Sequence, residues 1–335
     1  MLNTHNLFVK LPSLQFFATN TTGTVNTGTG ANSTKPNAYY DKLLLKLLVQ
    51  TDFHHNKFAQ QRPMPKNAGD TINFRKIGTL EPALTPLTEG VTPTGQSATV
   101  TAISATTKQY GDFIEFSDLV DVTLVDPIVK EYTVELARSA RETLDILVRD
   151  ELTGGSNVIY AGGKTSRATV AVGDKPTIMD FRKARLQMQK AKVKPCSKGK
   201  YIALVSPDVV FDLMDDPDFV KAYEIGQNNK PFIEGEIADI YGIKFVEVLN
   251  AQVFTGAGAS SANVHASVIL GQEAYGITKI TGNGDVQTIH KALGSAGTAD
   301  PLNQRQSIGW KVNAFTAKRL YEEGIVRYES CPTNA

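Results

Sequence analysis

The spacing of apolar residues changes along the chain, from the period of a helix to the alternation of a strand. Four leucines on one helical face predict a helix over residues 39–60, and a longer apolar stripe predicts another over residues 126–155. Asp126 and Pro127 suit the first turn of the longer helix, and Gly154 suits its end. With roughly 25 residues at about 1.5 Å each, this helix would extend about 37 Å.

A long hairpin is predicted between these two helices. Residues 71–77 alternate around Ile72 and Phe74, and residues 98–116 are rich in β-branched and aromatic residues, so a strand is predicted in each. The connecting residues include three prolines and form an unusually long loop for one compact domain. Because an isolated two-stranded hairpin is marginally stable in water, this one needs another surface to cover it.

The remaining sequence mixes helices and strands without the regular alternation of a parallel α/β sheet. Thr177 and Asp180 suit a capping box at the start of a helix. The other predicted elements are, in chain order, a strand at 201–207, a helix at 208–214, a short helix that stops at Gly242, a strand after it, strands at 267–271 and 285–291, and a strand-rich end from Trp310 to Ser330. This order predicts an α+β fold.

The first part of the chain contains a polar arm, residues 18–38, made almost wholly of threonine, asparagine, glycine and alanine. Such a segment buries too little apolar area to offset its ordering entropy, so contacts outside its own fold are expected to hold it. Lys10 and Pro12 interrupt the apolar run before it, which argues against a signal peptide. No apolar run reaches the roughly 18 residues of a membrane span, so we expect a soluble protein without a membrane partner.

Composition narrows the possible functions further. The 335 residues can bury a substantial core, and 41% are hydrophobic and 21% charged, as in ordinary globular proteins. Lys and Arg number 35 against 34 Asp and Glu, so no overall field favours nucleic acid or membrane. The two cysteines, Cys196 and Cys331, cannot form a disulfide framework or a zinc-ligand pattern, which fits a reducing compartment.

Motifs that could carry catalysis fit their contexts poorly. GGKT at 162–165 resembles part of a phosphate loop, but Val158 occupies the position of the first glycine. GSAGTADP at 294–301 has no Gly-Lys-Ser/Thr, and its glycines favour a tight backbone path. The neighbouring His54 and His55 would point about 100° apart on a helix and could not easily share a metal. We therefore predict no catalytic, cofactor-binding or metal-binding residue.

Two charge clusters remain. Residues 182–200 contain eight Lys and Arg and no acid, which favours a solvated or subunit-facing surface over a dedicated DNA site. Residues 215–218, DDPD, lack the spaced ligands of a calcium loop, so an acidic turn at the end of a helix is predicted.

A set of longer motifs connects these features to a known family. The sequence resembles the major capsid proteins of tailed bacteriophages with the Hong Kong 97 type fold, and more closely those of the phage N-four group. The motifs, in family order, are KFAQQRPMPKNAGDTINFRK (57–76), LTPLTEGVTPTGQ (84–96), TKQYGDFIEFSD (107–118), LVRDEL (147–152), SPDVVFDLMDDPDF (206–219), GEIADIYGIKFVE (235–247), LGQEAYG (270–276) and GSAGTADPLNQRQSIGWK (294–311).

The resemblance implies a division of the chain into the parts of that fold. These are an N-terminal arm (1–65), an extended β-hairpin loop (66–116), a peripheral domain with a long spine helix (117–176), an axial domain (177–289), and C-terminal strands that return to the peripheral domain (290–335). It also implies a structural role, in which the extended loop lies across a neighbouring subunit and the arm embraces another.

The family likeness also implies partners. Hexamers and pentamers of the chain would form an icosahedral shell around double-stranded DNA, in a virion assembled in the host cytoplasm. Scaffolding and portal proteins, a maturation protease and decoration proteins are implied as well. Inter-subunit contacts are expected at Arg62, Phe74, Arg75, Leu87, Glu89, Tyr110, Arg305 and Trp310. Two alternatives stay open: an encapsulin-like nanocompartment shell, which shares the fold, and a nucleotide-binding enzyme.

Overall fold

The computed structural model describes residues 55–64, 69–78, 80–92, 94–123, 128–196, 199–220, 236–278 and 286–334. The polar arm and most of the helix predicted over 39–60 lie outside these residues. The helices and longer strands are β1 (Gln60–Arg62), β2 (Thr71–Ile77), β3 (Val100–Thr106), β4 (Lys108–Ser117), α1 (Asp118–Thr123), α2 (Ile128–Thr153), β5 (Val158–Tyr160), α3 (Ile178–Lys190), β6 (Tyr201–Val205), α4 (Pro207–Met214), β7 (Glu236–Ile240), β8 (Ile243–Glu247), β9 (Gln252–Phe254), β10 (Val264–Leu270), β11 (Tyr275–Thr278), β12 (Val286–Lys291), β13 (Arg305–Phe315), β14 (Ala317–Arg319) and β15 (Ile325–Ser330).

The chain divides into two compact units. The described part of the first unit comprises Gly111–Ala140, without residues 124–127, and Val286–Lys311. It contains most of a three-stranded sheet in the order β12–β13–β4 and the beginning of α2. The rings of Phe116 and Tyr132 meet edge to face with centroids 5.4 Å apart, which joins this sheet to the helix through an aromatic contact.

The second unit comprises Thr51–Tyr110, Arg141–Asp285 and Val312–Ala335. Its largest sheet has seven strands among the described residues, in the order β5–β15–β10–β6–β8–β7, with β9 paired to β10. Helices α3 and α4 share one buried cluster with the face of β6 that carries Tyr201, Ala203 and Val205. Phe181 of α3 lies 4.9 Å from the ring of Tyr328, so aromatic side chains join helix and sheet.

The mixed order of elements agrees with the α+β prediction, and three local predictions need correction. The strand predicted over 98–116 is two strands, because β3 pairs with β2 and β4 pairs with β13 in another sheet. At the junction, the amide and the hydroxyl of Thr107 both donate to the Asp70 carbonyl, at 2.8 and 2.9 Å. The short helix predicted before Gly242 is β7. Tyr241 and Gly242 both have positive φ, 50° and 71°, as the tight turn of a β7–β8 hairpin requires.

The third correction concerns the start of α3. Thr177 occupies the N-cap position, but its hydroxyl donates to the Asp180 carboxylate at 3.0 Å instead of accepting a backbone N–H. The carboxylate of Asp216 accepts the amide of Ile178 at 2.9 Å in its place. The cap therefore comes from a residue 38 positions away, outside the local pattern that a capping box describes.

Candidate assembly surfaces

The base of the predicted hairpin is fixed to the second unit. Strands β2 and β3 pair along their whole length, from Thr71 opposite Thr106 to Ile77 opposite Val100. Phe74 is fully buried and packs in a cluster with Leu320. Gly276 makes room for its ring, since a Cβ at this glycine would lie 2.6 Å from Phe74 Cδ1 and 2.8 Å from Cζ.

Charged side chains add to this anchor. The Lys76 ammonium lies 4.8 Å from the centre of the Tyr321 ring and 3.8 Å from a carboxylate oxygen of Glu323. Arg62 donates to the Asn73 carbonyl at 3.2 Å. Apart from Arg62, the side chains that hold the base come from residues far away in sequence, so the hairpin leaves the body of the unit at a defined place.

In the tip of the hairpin, residues 80–99, no described side chain belongs to a buried cluster. Every described residue in it is exposed, and its backbone forms neither helix nor strand. Gln96 donates its amide to the Glu81 carbonyl at 3.0 Å, and Gly90 turns the chain with a φ of 78°. Six apolar side chains on the tip and the adjoining strand ends are each more than half exposed: Ile77, Leu80, Leu84, Leu87, Val91 and Val100.

The segment that leads into β1 is anchored by a buried polar cluster. His55 Nδ1 lies 2.8 Å from Asp145 Oδ2 of α2, and the His55 amide donates to the same carboxylate at 3.3 Å. The Tyr275 hydroxyl donates to the His55 carbonyl. Burial raises the pKa of Tyr275 well above its usual value, which keeps the phenol a donor. The chain therefore enters the described fold at a fixed point on the long helix.

A second buried polar cluster lies in β15 of the large sheet. Glu329 of β15 is fully buried and accepts two hydrogen bonds from Arg167, at 2.7 and 2.8 Å. Arg327 Nε lies 2.7 Å from the same carboxylate. The hydrogen bond to Glu329 raises the pKa of Arg167, and the guanidinium stacks 3.4 Å from the centre of the Phe254 ring. One buried acid thus neutralises two arginines that lie against aromatic surface.

One arrangement resembles a catalytic triad but cannot act as one. Ser206 Oγ lies 3.0 Å from His265 Nδ1, and Asp208 Oδ2 lies 3.7 Å from that same nitrogen. A triad needs serine and acid at opposite ring nitrogens, so that the histidine can pass a proton between them. Ser206 is instead the N-cap of α4, where its hydroxyl accepts the Val209 amide at 3.4 Å.

The other motifs that could carry catalysis or bind a ligand also lack the geometry for it. GGKT at 162–165 opens no α-helix: Gly162 lies in a 3-10 turn, and Lys164 lies 3.9 Å from the Asp174 carboxylate. Burial raises the pKa of the Cys196 thiol to about 12, so it is a poor nucleophile. Within the described ranges, no group of three His, Cys, Asp or Glu is placed to hold a metal ion. None of the described helices combines the length and apolarity of a membrane span.

The structure places the eight predicted contact residues in three environments. Arg75, Leu87, Glu89 and Arg305 are exposed, and Arg62 and Tyr110 are partly buried. Phe74 and Trp310 are buried within the chain, at 0% and 3% exposure, so they support surfaces instead of presenting them. The sequence did not single out Leu84, which is 86% exposed at the tip. The sequence did contain one indication that Leu84 is a candidate contact residue, because it lies between Pro82 and Pro86 in a loop with no lysine or arginine.

A profile of the phage capsid protein family matches residues 99–328, more than half of the chain. No curated protein sequence matches the chain significantly. Among solved structures, the capsid of Ralstonia phage GP4 is similar with a TM-score of 0.67 and 16% identity, covering 82% of this chain and 87% of that one. The capsid of cyanophage Pam1 gives 0.61 and 15%, covering 81% and 87%.

The holo-SrpI encapsulin complex from Synechococcus elongatus also shares the fold, with a TM-score of 0.51 and 8% identity over 83% of this chain and 87% of that one. At such identities the structural matches establish the fold, which is the expected Hong Kong 97 type. The family profile establishes the kind of protein, and the narrower likeness to the phage N-four group stays a prediction. The chain therefore belongs to the phage capsid protein family, as a structural protein that assembles with copies of itself into the capsid of a virion and not as an enzyme.

Proposed function

We propose that the chain builds an icosahedral head, as hexamers and pentamers in which each extended loop lies across a neighbouring subunit. The observation that carries this proposal is the contrast within one hairpin. Its base is buried around Phe74, whereas its tip exposes apolar side chains such as Leu84 and Leu87, at 86% and 77%. Exposed apolar surface of this kind marks an interaction site.

The chemistry of the tip supports an apolar contact surface. Residues 77–100 contain two glutamates and no lysine or arginine, so few charges must be desolvated when the tip is covered. Its prolines fix φ and reduce the entropy lost when the tip is ordered on a neighbour. Closed symmetry repeats the contact at every subunit, so individually modest interfaces sum to a durable shell.

The proposed assignment of the remaining parts follows the family. Residues 1–65 serve as the arm, 66–116 as the extended loop, 117–176 and 290–335 as the peripheral domain, and 177–289 as the axial domain. The exposed Arg75, Leu87, Glu89 and Arg305 make inter-subunit contacts, with the partly buried Arg62 and Tyr110 beside them. Phe74 and Trp310 hold those surfaces in place from within the chain.

The proposed contents and partners are those of a phage head. The near-neutral chain, with a formal charge of +1, suits a container, because a strongly basic wall would bind the packaged double-stranded DNA tightly and without sequence preference. Assembly takes place in the host cytoplasm with scaffolding and portal proteins, and a maturation protease and decoration proteins act on the shell. The second candidate function is a nanocompartment that holds protein cargo, because the encapsulin shares the fold. Native particles that contain protein cargo instead of nuclease-protected DNA would favour this second candidate.

Substituting the tip tests the loop contact. Leu84→Glu combined with Leu87→Glu is expected to lower the yield of shells at least tenfold, because a charge buried without a partner costs several kcal/mol. Val172→Glu, at a similarly exposed valine outside the loop (69%), is the control and should assemble normally. Sucrose-gradient sedimentation measures the yield, and a melting curve checks the fold. Wild-type yield from the double variant would contradict the proposal.

A further inference from the structure

Helix α3 carries opposite charges at its two ends. Lys190, Lys192 and Lys194 are exposed at its C-terminal end. The acidic turn after α4 lies at its N-terminal end, because Asp216 Oδ2 accepts the Ile178 amide at 2.9 Å. The helix has 13 residues, which corresponds to about 20 Å. The second unit therefore has a basic end and an acidic end a helix length apart.

Only some of these charged side chains stabilise α3 itself. Asp216 caps α3, and Lys190 lies in its last turn, where each complements the helix dipole. Lys192 and Lys194 lie beyond the helix, and the exposed Asp215 follows the C-terminus of α4, where the dipole disfavours an acid.

The described residues supply no counter-charge to these outlying side chains. Within the part of the chain that the structure describes, Lys192, Lys194, Asp215 and Asp218 form no ion pair. As far as the structure describes the chain, four exposed charges of the second unit, two of each sign, therefore have no charged partner within the subunit.

Both ends are held rigidly enough to serve as docking surfaces. At the basic end, the Lys194 carbonyl accepts the Gln272 amide at 2.8 Å, and the Tyr201 hydroxyl donates to the Val193 carbonyl at 2.7 Å. At the acidic end, the Asp218 amide donates to the second oxygen of Asp216 at 3.0 Å.

The acidic end also offers apolar contact area. Met214, which directly precedes Asp215, is 45% exposed, and Met179, which follows the capped Ile178, is 48% exposed. Flexible methionine side chains next to fixed charges suit a surface that another protein covers.

We propose that the basic end of α3 in one subunit docks on the acidic end, Asp215 and Asp218, of the next subunit in the same ring. Two complementary surfaces on one chain make a heterologous, head-to-tail contact, and such contacts close into rings when the rotation permits. The occupant of each surface is therefore a second copy of this chain. This inference rests on the proposed function, because it specifies a contact within the hexamers and pentamers.

Charge exchange tests the contact. Lys192→Glu with Lys194→Glu, and separately Asp215→Lys with Asp218→Lys, should each lower the yield of shells at least tenfold. Combining all four substitutions restores the opposite charges in reversed positions and should return the yield to within about threefold of wild type, since complementary charges set the register of an interface. Arg138→Glu with Lys291→Glu, at two exposed cationic side chains outside the extended loop and α3, is the matched control and should assemble normally.

The outcomes separate this contact from the proposed function. Normal shells from either reversed pair, or no recovery in the combined variant, would overturn the contact while wild-type shells stand. Shells of normal yield that lose DNA only in the lysine variant would assign the basic end to the genome and overturn the contact. An absence of shells from the unchanged chain in matched conditions would overturn both. Melting curves of each variant confirm that the subunit is folded.

Discussion

Deleting residues 79–94 is expected to give a folded subunit that does not close shells. The deletion removes the exposed tip and leaves strands β2 and β3 paired, with Phe74 in its buried cluster. The melting temperature should therefore stay close to that of the wild type, because no described residue of the tip is buried. Shells should fall below detection, because every subunit loses the apolar surface that we propose contacts its neighbour.

The linker that replaces the deleted residues must not itself destabilise the hairpin. The Gly78 amide donates to the Thr99 carbonyl at 2.8 Å, so an Asn-Gly linker between Gly78 and Gly95 leaves a loop of six residues: Asn, Gly and residues 95–98. A loop of this length is common between neighbouring elements, so the deletion is made with that linker. Light scattering and sedimentation measure assembly, and circular dichroism measures the fold. Closed particles of normal size from the deletion would show that the loop contributes no essential contact.

Replacing Glu329 by glutamine is expected to cause the largest loss of stability of any single change considered. The substitution keeps the shape of the side chain and removes the charge that both Arg167 and Arg327 share, while Glu329 has no exposed surface. Breaking a buried ion pair by removing one partner costs about 3–5 kcal/mol. The lower end of this range is expected, because the Arg327 side chain is 10% exposed and stays nearly buried, whereas the Arg167 side chain is 29% exposed and partly solvated. Chemical denaturation of the unassembled subunit measures the change in the free energy of unfolding.

Glu323→Gln provides the matched control. Glu323 is 60% exposed and lies 3.8 Å from the Lys76 ammonium, so its ion pair is screened by solvent. Its loss should change the free energy of unfolding by less than about 1 kcal/mol. Equal effects from the two substitutions would contradict the role given to the Arg167–Glu329–Arg327 cluster.

Elements with a strong local pattern were predictable from the sequence. The long helix and strand 71–77 were found nearly to the residue, at Ile128–Thr153 and Thr71–Ile77. The sequence also predicted that the acidic residues 215–218 form a turn at the end of a helix, and this turn follows α4. In each case the apolar spacing, or the clustering of turn residues, decides the structure without help from distant parts of the chain.

What the sequence could not show depends on residues far apart. The strand-like run over 98–116 breaks at Thr107, where the chain passes from one sheet to another, and α3 receives its cap from Asp216. The burial of Phe74 depends on a glycine, Gly276, two hundred positions further along the chain. A short stretch of sequence carries no information about such distant partners. The docked base of the loop, and the position of the acidic turn at the N-terminal end of α3, therefore emerge only from the fold.

Electron microscopy of the purified protein, paired with light scattering, tests the central claim most directly. Negatively stained samples of the unchanged chain should show hollow shells or rings of five and six subunits, with a matching rise in scattered mass. The scaffold of the phage is added in a parallel sample, because some shells close only around one. A protein that stays monomeric in both samples would contradict the assignment of shell assembly to this chain.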